Sequence, residues 1–204
     1  EVGWTIIDYY LDRKPSYYYV KRALSPRKLI LRERGGEVIV TGINETAEDC
    51  SFTLEYGYLS FDGTARSTEQ LALTLGARSR GAVHRFPKPD GDLRRGLVFA
   101  APAEGAVPDA ALLRSGVFRD LAVPPAEPRI SDFTNDGQGN AAFSVESPVY
   151  AHGVRILGVS GRLSDDYFDL LPGRSRRIQV AGASSALNAS DVRVAAVQAG
   201  GDAS

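Results

Sequence analysis

The side chains best placed for chemistry in this chain are carboxylates. Asp165, Asp166 and Asp169 cluster round Tyr167 and Phe168 in the stretch LSDDYFDLL. Such a group could shape a sugar subsite beside an aromatic ring or ligate a cation. It could equally be a turn whose aspartates accept backbone N–H groups while Tyr167, Phe168 and Leu170 anchor it in a core. Asp165, Asp166, Tyr167 and Asp169 are therefore the candidate carbohydrate contacts, with the turn as the competing reading. A second acidic stretch, DFTNDGQGN, sets Asp132, Thr134, Asp136 and Gly137 at positions one, three, five and six of a calcium-loop template. Position twelve falls on Phe143, where the template needs a bidentate glutamate, so a hairpin turn is expected.

The other reactive types are scattered. His84, His152 and Cys50 lie far apart in the sequence and form no zinc-ligand spacing. Tyr56 and Tyr58 share one face of a strand, either as a small platform for a pyranose or as a pair packing across strands. The one tryptophan, Trp4, lies near the N-terminus. Asn44-Glu45-Thr46 and Asn188-Ala189-Ser190 match glycosylation triplets but are discounted, because the Ala-, Gly- and Arg-rich composition suggests a bacterial source. The basic segment ARSRGAVHRFPKP, residues 77–89, reads as a charged loop.

Composition bounds the function classes. The chain has 204 residues, 43% hydrophobic and 24% charged, with a formal net charge of −1. That is ordinary globular composition, without the basic field that draws nucleic acid or anionic membrane. With one cysteine no internal disulfide forms, and the compartment stays undetermined. No apolar run approaches the ~20 residues of a membrane span. The chain has no methionine and opens without a leader pattern, which suggests a cut or processed start.

The elements that must position these residues are mostly strands. The exception is the start: WTIIDYY, residues 4–10, reads as a short apolar strand, and Pro15 suits the first turn of a helix that Pro26 stops. Tyr17, Val20 and Leu24 recur at helical spacing, giving an apolar face with nothing local to cover it. Period-two segments follow at 28–34, 37–44, 50–60 and 69–76, with Gly35-Gly36 as a hairpin turn, and another strand is expected at 96–102. Residues 108–115 read as a single helical turn, and 121–128, LAVPPAEP, as a linker. Further strands are expected at 128–134, 141–147, 150–158, 176–182 and 191–198. Short strands with regular turn signals indicate an all-β protein of two tandem immunoglobulin-like β-sandwiches.

Two stretches together resemble one family. WTIIDYYLDRKPSYYYVKRALSP resembles the end of the catalytic barrel in glycoside hydrolase family 2, particularly its β-mannosidase-like members. LSDDYFDLLPGRSRRIQV, residues 163–180, resembles a motif in the last immunoglobulin-like domain of the same enzymes, with Asp166 where the usual residue is asparagine. The resemblance implies that residues 1–25 are the last strand and helix of a (β/α)8 barrel, followed by sandwiches over 26–124 and 125–204. Trp4, Tyr17, Tyr18 and Tyr19 would then face the barrel, the tyrosines packing between its wall and the first sandwich.

The family's members are retaining glycosidases that use two carboxyl groups about 5–5.5 Å apart. No glutamate here matches a catalytic motif of the family, so the chain itself is expected to be inert, with no cofactor, metal, nucleic-acid or membrane partner. Its implied partner is the parent's own barrel, with oligomer contacts as a further role. A free-standing carbohydrate-binding module and an adhesion-type pair of immunoglobulin-like domains are the alternatives.

Overall fold

The structure is a computed structural model that describes residues 5–104 and 107–197. It divides into two compact units, one formed by residues 25–123 and the other by 1–24 together with 124–204.

In the unit of residues 25–123, β1 (Arg27–Arg34), β2 (Glu37–Asn44) and β5 (Ser79–Pro87) form an antiparallel sheet in the order β1-β2-β5. The facing sheet contains β3 (Cys50–Ser60), β4 (Arg66–Leu75), β6 (Gly96–Pro102) and β7 (Ala111–Leu113), in the order β4-β3-β6-β7. Along β2 every second residue is buried, with Val38, Val40, Gly42 and Asn44 turned inward. The inward residues of both sheets, among them Leu29, Val38, Leu54, Leu75 and Val98, make one core. Gly35 and Gly36 take left-handed φ values of 62° and 81° in the β1–β2 hairpin, a region open to glycine at no steric cost.

In the other unit, β8 (Arg129–Asn135), β9 (Asn140–Glu146), β11 (Arg162–Leu163) and β13 (Ser175–Ala181) form a sheet in the order β11-β13-β9-β8. Facing it, β10 (Ala151–Leu157), β12 (Phe168–Leu170) and β14 (Arg193–Val197) run in the order β12-β10-β14. Phe143, Val145, Ile178 and Val180 meet Val154, Phe168 and Leu170 in the core between them. The helix α1 (Pro15–Ala23) belongs to this unit.

Several expectations are corrected. Residues 77–89 are not a loop: β5 pairs with β2 along its length, and its alternation is hidden by Gly81 and by a register shift between Val40 and Thr41. Residues 111–113 are a strand on the edge of β6 rather than a helical turn, because β6 leaves a backbone row open to pairing. Among the described residues of the 4–10 segment no strand forms, and Ile7 makes a lone bridge to Arg13. Two short strands inside 162–170 had no readable period.

Three sequence features resolve locally. Asp136 Oδ1 accepts the Gln138 and Asn140 amides at 2.7 and 2.9 Å, and Oδ2 accepts Asn140 Nδ2 at 2.7 Å, so the DFTNDGQGN stretch is the β8–β9 hairpin turn. Tyr56 and Tyr58 are buried; burial and the hydrogen bond to Glu69 push the Tyr56 hydroxyl up to about 12. Asn44 is 1% exposed and its Nδ2 donates to the carbonyls of Glu48 and Leu75, which leaves that triplet no accessible amide nitrogen.

Candidate functional site

The most elaborate polar construction in the described residues joins the start of the chain to the acidic motif at 163–170. It begins with a tight loop. Asp8 Oδ1 accepts the amides of Tyr10 and Asp12, both at 2.9 Å, while the Asp8 amide donates to the Asp12 carbonyl. The reversal places Leu11 at φ 67°, a region costly for any residue with a Cβ. Tyr9, Tyr10 and Leu11 stand 81–87% exposed on this loop. Leu11→Gly is expected to slow hydrogen exchange of the Leu11 and Asp12 amides several-fold. It relieves about 1 kcal/mol of strain, partly offset by the larger unfolded-state entropy of glycine.

The helix then presents its cationic side to the motif. Pro15 opens α1, and Lys21 and Arg22 lie in its last turn, where positive charge complements the helix dipole. Arg22 Nη1 donates to Asp165 Oδ1 at 2.6 Å and to the Asp166 carbonyl at 3.1 Å; its Nη2 donates to the Tyr167 carbonyl at 2.9 Å. Lys21 Nζ donates to the Ser164 carbonyl at 2.6 Å, and Arg13 Nη1 to the Leu163 carbonyl at 3.0 Å. Three cations thus donate to backbone carbonyls at 163, 164, 166 and 167. Tyr18, 5% exposed, packs its ring against Tyr167 with centroids 6.3 Å apart.

The motif holds its own shape by spending its aspartates. Asp165 Oδ1 also accepts the Asp166 amide at 2.9 Å, while Arg176 Nη2 lies 2.6 Å from Oδ2 as an ion pair rather than an aligned hydrogen bond. Asp166 Oδ1 accepts the amides of Ile156 and Tyr167, tying the loop to β10 and holding Tyr167 at φ 52°. Burial pushes the Asp166 carboxyl above its ordinary value, the two backbone donors pulling the other way. Asp169 Oδ2 accepts the Tyr150 hydroxyl at 2.8 Å; Oδ1 meets His152 Nδ1 at 2.7 Å and accepts the Gly153 amide at 3.0 Å. A bulge in β10, with Gly153 at φ 56°, aims these two groups at Asp169.

These placements bear on each expected site residue. Asp165, Asp166 and Asp169 come together, with Tyr167 half-buried between them, and their oxygens face protein groups. Of the residues expected to face a barrel, Trp4 lies outside the described residues. Tyr17 is half-buried under the Arg13 guanidinium, 4.6 Å from the ring centroid, and Tyr19 is 48% exposed with Arg22 4.8 Å over its ring. Tyr18 packs on Tyr167 of the second sandwich, where the tyrosines had been expected beside the first. His84 stacks on Phe86 and lies tilted against Tyr56 in its own unit. Sequence reasoning missed Arg13, Lys21, Arg22 and Arg176. The available signal was charge balance: two adjacent aspartates inside an apolar stretch need cations to be buried at all.

Asp166 stands where the resembled motif carries asparagine, and its chemistry here asks only for an acceptor. An amide oxygen can take both backbone N–H groups without burying charge. Asp166→Asn is therefore expected to stabilise the chain at neutral pH. Because the folded-state value is raised, the folded chain binds the proton first as pH falls. The penalty on aspartate is fully present above that raised value and disappears below the ordinary one of 3.8. Urea titrations at several pH values should show the asparagine advantage shrinking through that window.

Residues 126–198 match the Ig_mannosidase family model, an Ig-fold domain. Among solved structures, a β-D-mannosidase from Dictyoglomus thermophilum matches with a TM-score of 0.83 and 24% identity, covering 96% of this chain and 24% of its own. The exo-chitosanase CsxA from Amycolatopsis orientalis matches with a TM-score of 0.64 and 15% identity, covering 95% of this chain and 28% of its own. The chain thus spans about a quarter of the length of either structure, and at these identities the likeness is one of fold. No curated protein sequence matches it. The motif at 163–180 lies wholly inside the matched segment, and residues 126–198 are an Ig-fold domain of the mannosidase type.

Proposed function

We propose that the chain is a non-catalytic accessory region of a β-mannosidase-like glycoside hydrolase, buttressing a catalytic barrel. The observation that carries this reading is the division of labour within residues 5–24. Arg13, Lys21 and Arg22 are spent on the C-terminal sandwich, while Ile6, Ile7, Tyr9, Tyr10, Val20 and Leu24 remain 37–87% exposed. Large apolar side chains gathered on one short segment mark a surface that another body covers. A barrel whose last strand and helix are these residues would supply the cover. The salt-bridged motif would then fasten that barrel to the mannosidase-type domain.

The parent enzyme would hydrolyse terminal β-linked mannose or a related sugar with retention, through a nucleophile and an acid/base on separate barrel strands. In the motif at 163–170 the carboxylates are held by arginine, tyrosine, histidine and backbone partners, which suits a fastening rather than an acid/base pair.

The test compares residues 1–204 with a polypeptide that joins them to a family barrel. The chain alone should neither hydrolyse an aryl β-D-mannoside nor give heat on titration with mannooligosaccharides, and the joined protein should hydrolyse the glycoside. Turnover by the chain alone would refute the accessory role. Saturable oligosaccharide binding by the chain alone would favour a carbohydrate-binding module instead.

A further inference from the structure

The unit of residues 25–123 carries thirteen basic and thirteen acidic residues, so its net formal charge is zero. Its charge is nonetheless segregated. On β1 and β2 the inward residues are Leu29, Leu31, Val38 and Val40, which leaves Lys28, Ile30, Arg32 and Arg34 of β1 on the outer face with Ile39 and Ile43 of β2. The β2–β5 register sets Arg80 opposite Ile43 and Arg85 opposite Ile39 on that same face. Four arginines, Arg32, Arg34, Arg80 and Arg85, therefore stand on the outside of β1-β2-β5, with Glu37 3.8 Å from Arg85, while Lys28 at the end of β1 bridges to Asp109. The rows from β1 to β5 span two strand spacings, about 10 Å. Between them run the three isoleucines, with Ile30 42% exposed.

We propose that this outer face is a docking surface for a protein segment that presents carboxylates round aliphatic side chains. An apolar centre with arginines at its margin is the anatomy of protein–protein recognition. Single-stranded nucleic acid and neutral saccharide are both held on aromatic faces, and this surface offers isoleucine instead. Neither edge of the sheet is the binding element: the register shift in β5 and Pro87 at its end obstruct addition of a strand there, and the β1 edge is already bridged at Lys28 by Asp109. Like-charge crowding on a flat sheet is unfavourable by itself, and a carboxylate-bearing partner relieves it. The inference is independent of the accessory role proposed above.

A synthetic peptide alternating glutamate and valine, titrated against the full chain by fluorescence polarisation, tests the proposal, with heparin as a comparison polyanion. Saturable peptide binding is expected at low salt, weakened at least tenfold by the pair Arg32→Glu and Arg80→Glu and several-fold by Ile30→Ser. All three positions are exposed, and circular dichroism checks that each variant folds. Absence of saturable binding would overturn the proposal. So would binding that ignores Ile30→Ser or the charge reversals, or that heparin matches, since the surface would then be at most a generic cation cluster.

Discussion

Replacing Arg22 with methionine is expected to lower the stability of the C-terminal unit by about 3 kcal/mol, near the lower end of what breaking a buried ion pair costs. Methionine keeps most of the stem's packing, so the loss is electrostatic. Asp165, with its side chain 9% exposed, keeps the Asp166 amide and the Arg176 contact but loses its shortest cationic donor to Oδ1, and the carbonyls of Asp166 and Tyr167 lose their Arg22 donor. A buried acceptor left without a partner costs about 1–3 kcal/mol, discounted here because Arg22 itself is 20% exposed. Arg22→Lys should fall between, since an ammonium can meet one or two of the three acceptors but cannot fork across them. In a double-mutant cycle with Asp165→Asn, the combined loss should be smaller than the sum of the two single losses. Additive losses would mean that the pair contributes nothing as a pair.

The second large effect is expected from Phe168→Ala. Phe168 is 1% exposed in the core of the C-terminal sandwich, and the Arg176 guanidinium lies 5.1 Å over its ring. Emptying a fully buried phenylalanine site costs about 3–5 kcal/mol through lost transfer energy and the cavity left behind. The substitution also frees the loop immediately before it, because Tyr167 and Asp166 are held at the mouth of the same core. Urea unfolding should therefore show a lower midpoint and, by hydrogen exchange, early loss of protection in α1. A variant that unfolds earlier while α1 keeps the protection of its neighbours would mean that the helix is held independently of this motif.

Most of the fold was legible because apolar strand segments are bounded by turn signals. β2, which alternates along its length, and β3 and β6, which are largely or wholly buried, all begin and end at the expected residues, and the Gly35-Gly36 hairpin follows from backbone freedom alone. Where the pattern is interrupted, legibility fails. Gly81 and the register shift opposite Val40 and Thr41 make β5 read as a loop, and β11 and β12 are too short to show a period. The candidate site was half legible. The aspartates and aromatic anchors of 163–170 stood out by type, and the turn reading of their chemistry describes the observed hydrogen bonds. Their counter-ions did not stand out, because Arg13, Lys21 and Arg22 lie about 150 residues away in sequence and only tertiary structure unites them. Helical spacing drew attention to the apolar face of Tyr17, Val20 and Leu24, yet the residue α1 buries is Tyr18, beside the cationic side.

The account turns on α1 being a structural part of the mannosidase-type sandwich while leaving its apolar residues outward. Hydrogen exchange on residues 1–204 under mildly destabilising urea addresses this directly. The amides of α1 should open together with those of β10 and β12, with one shared urea dependence, and Arg22→Met should uncouple them. Free exchange of α1 in the unsubstituted chain, at urea concentrations where β10 and β12 stay protected, would contradict it.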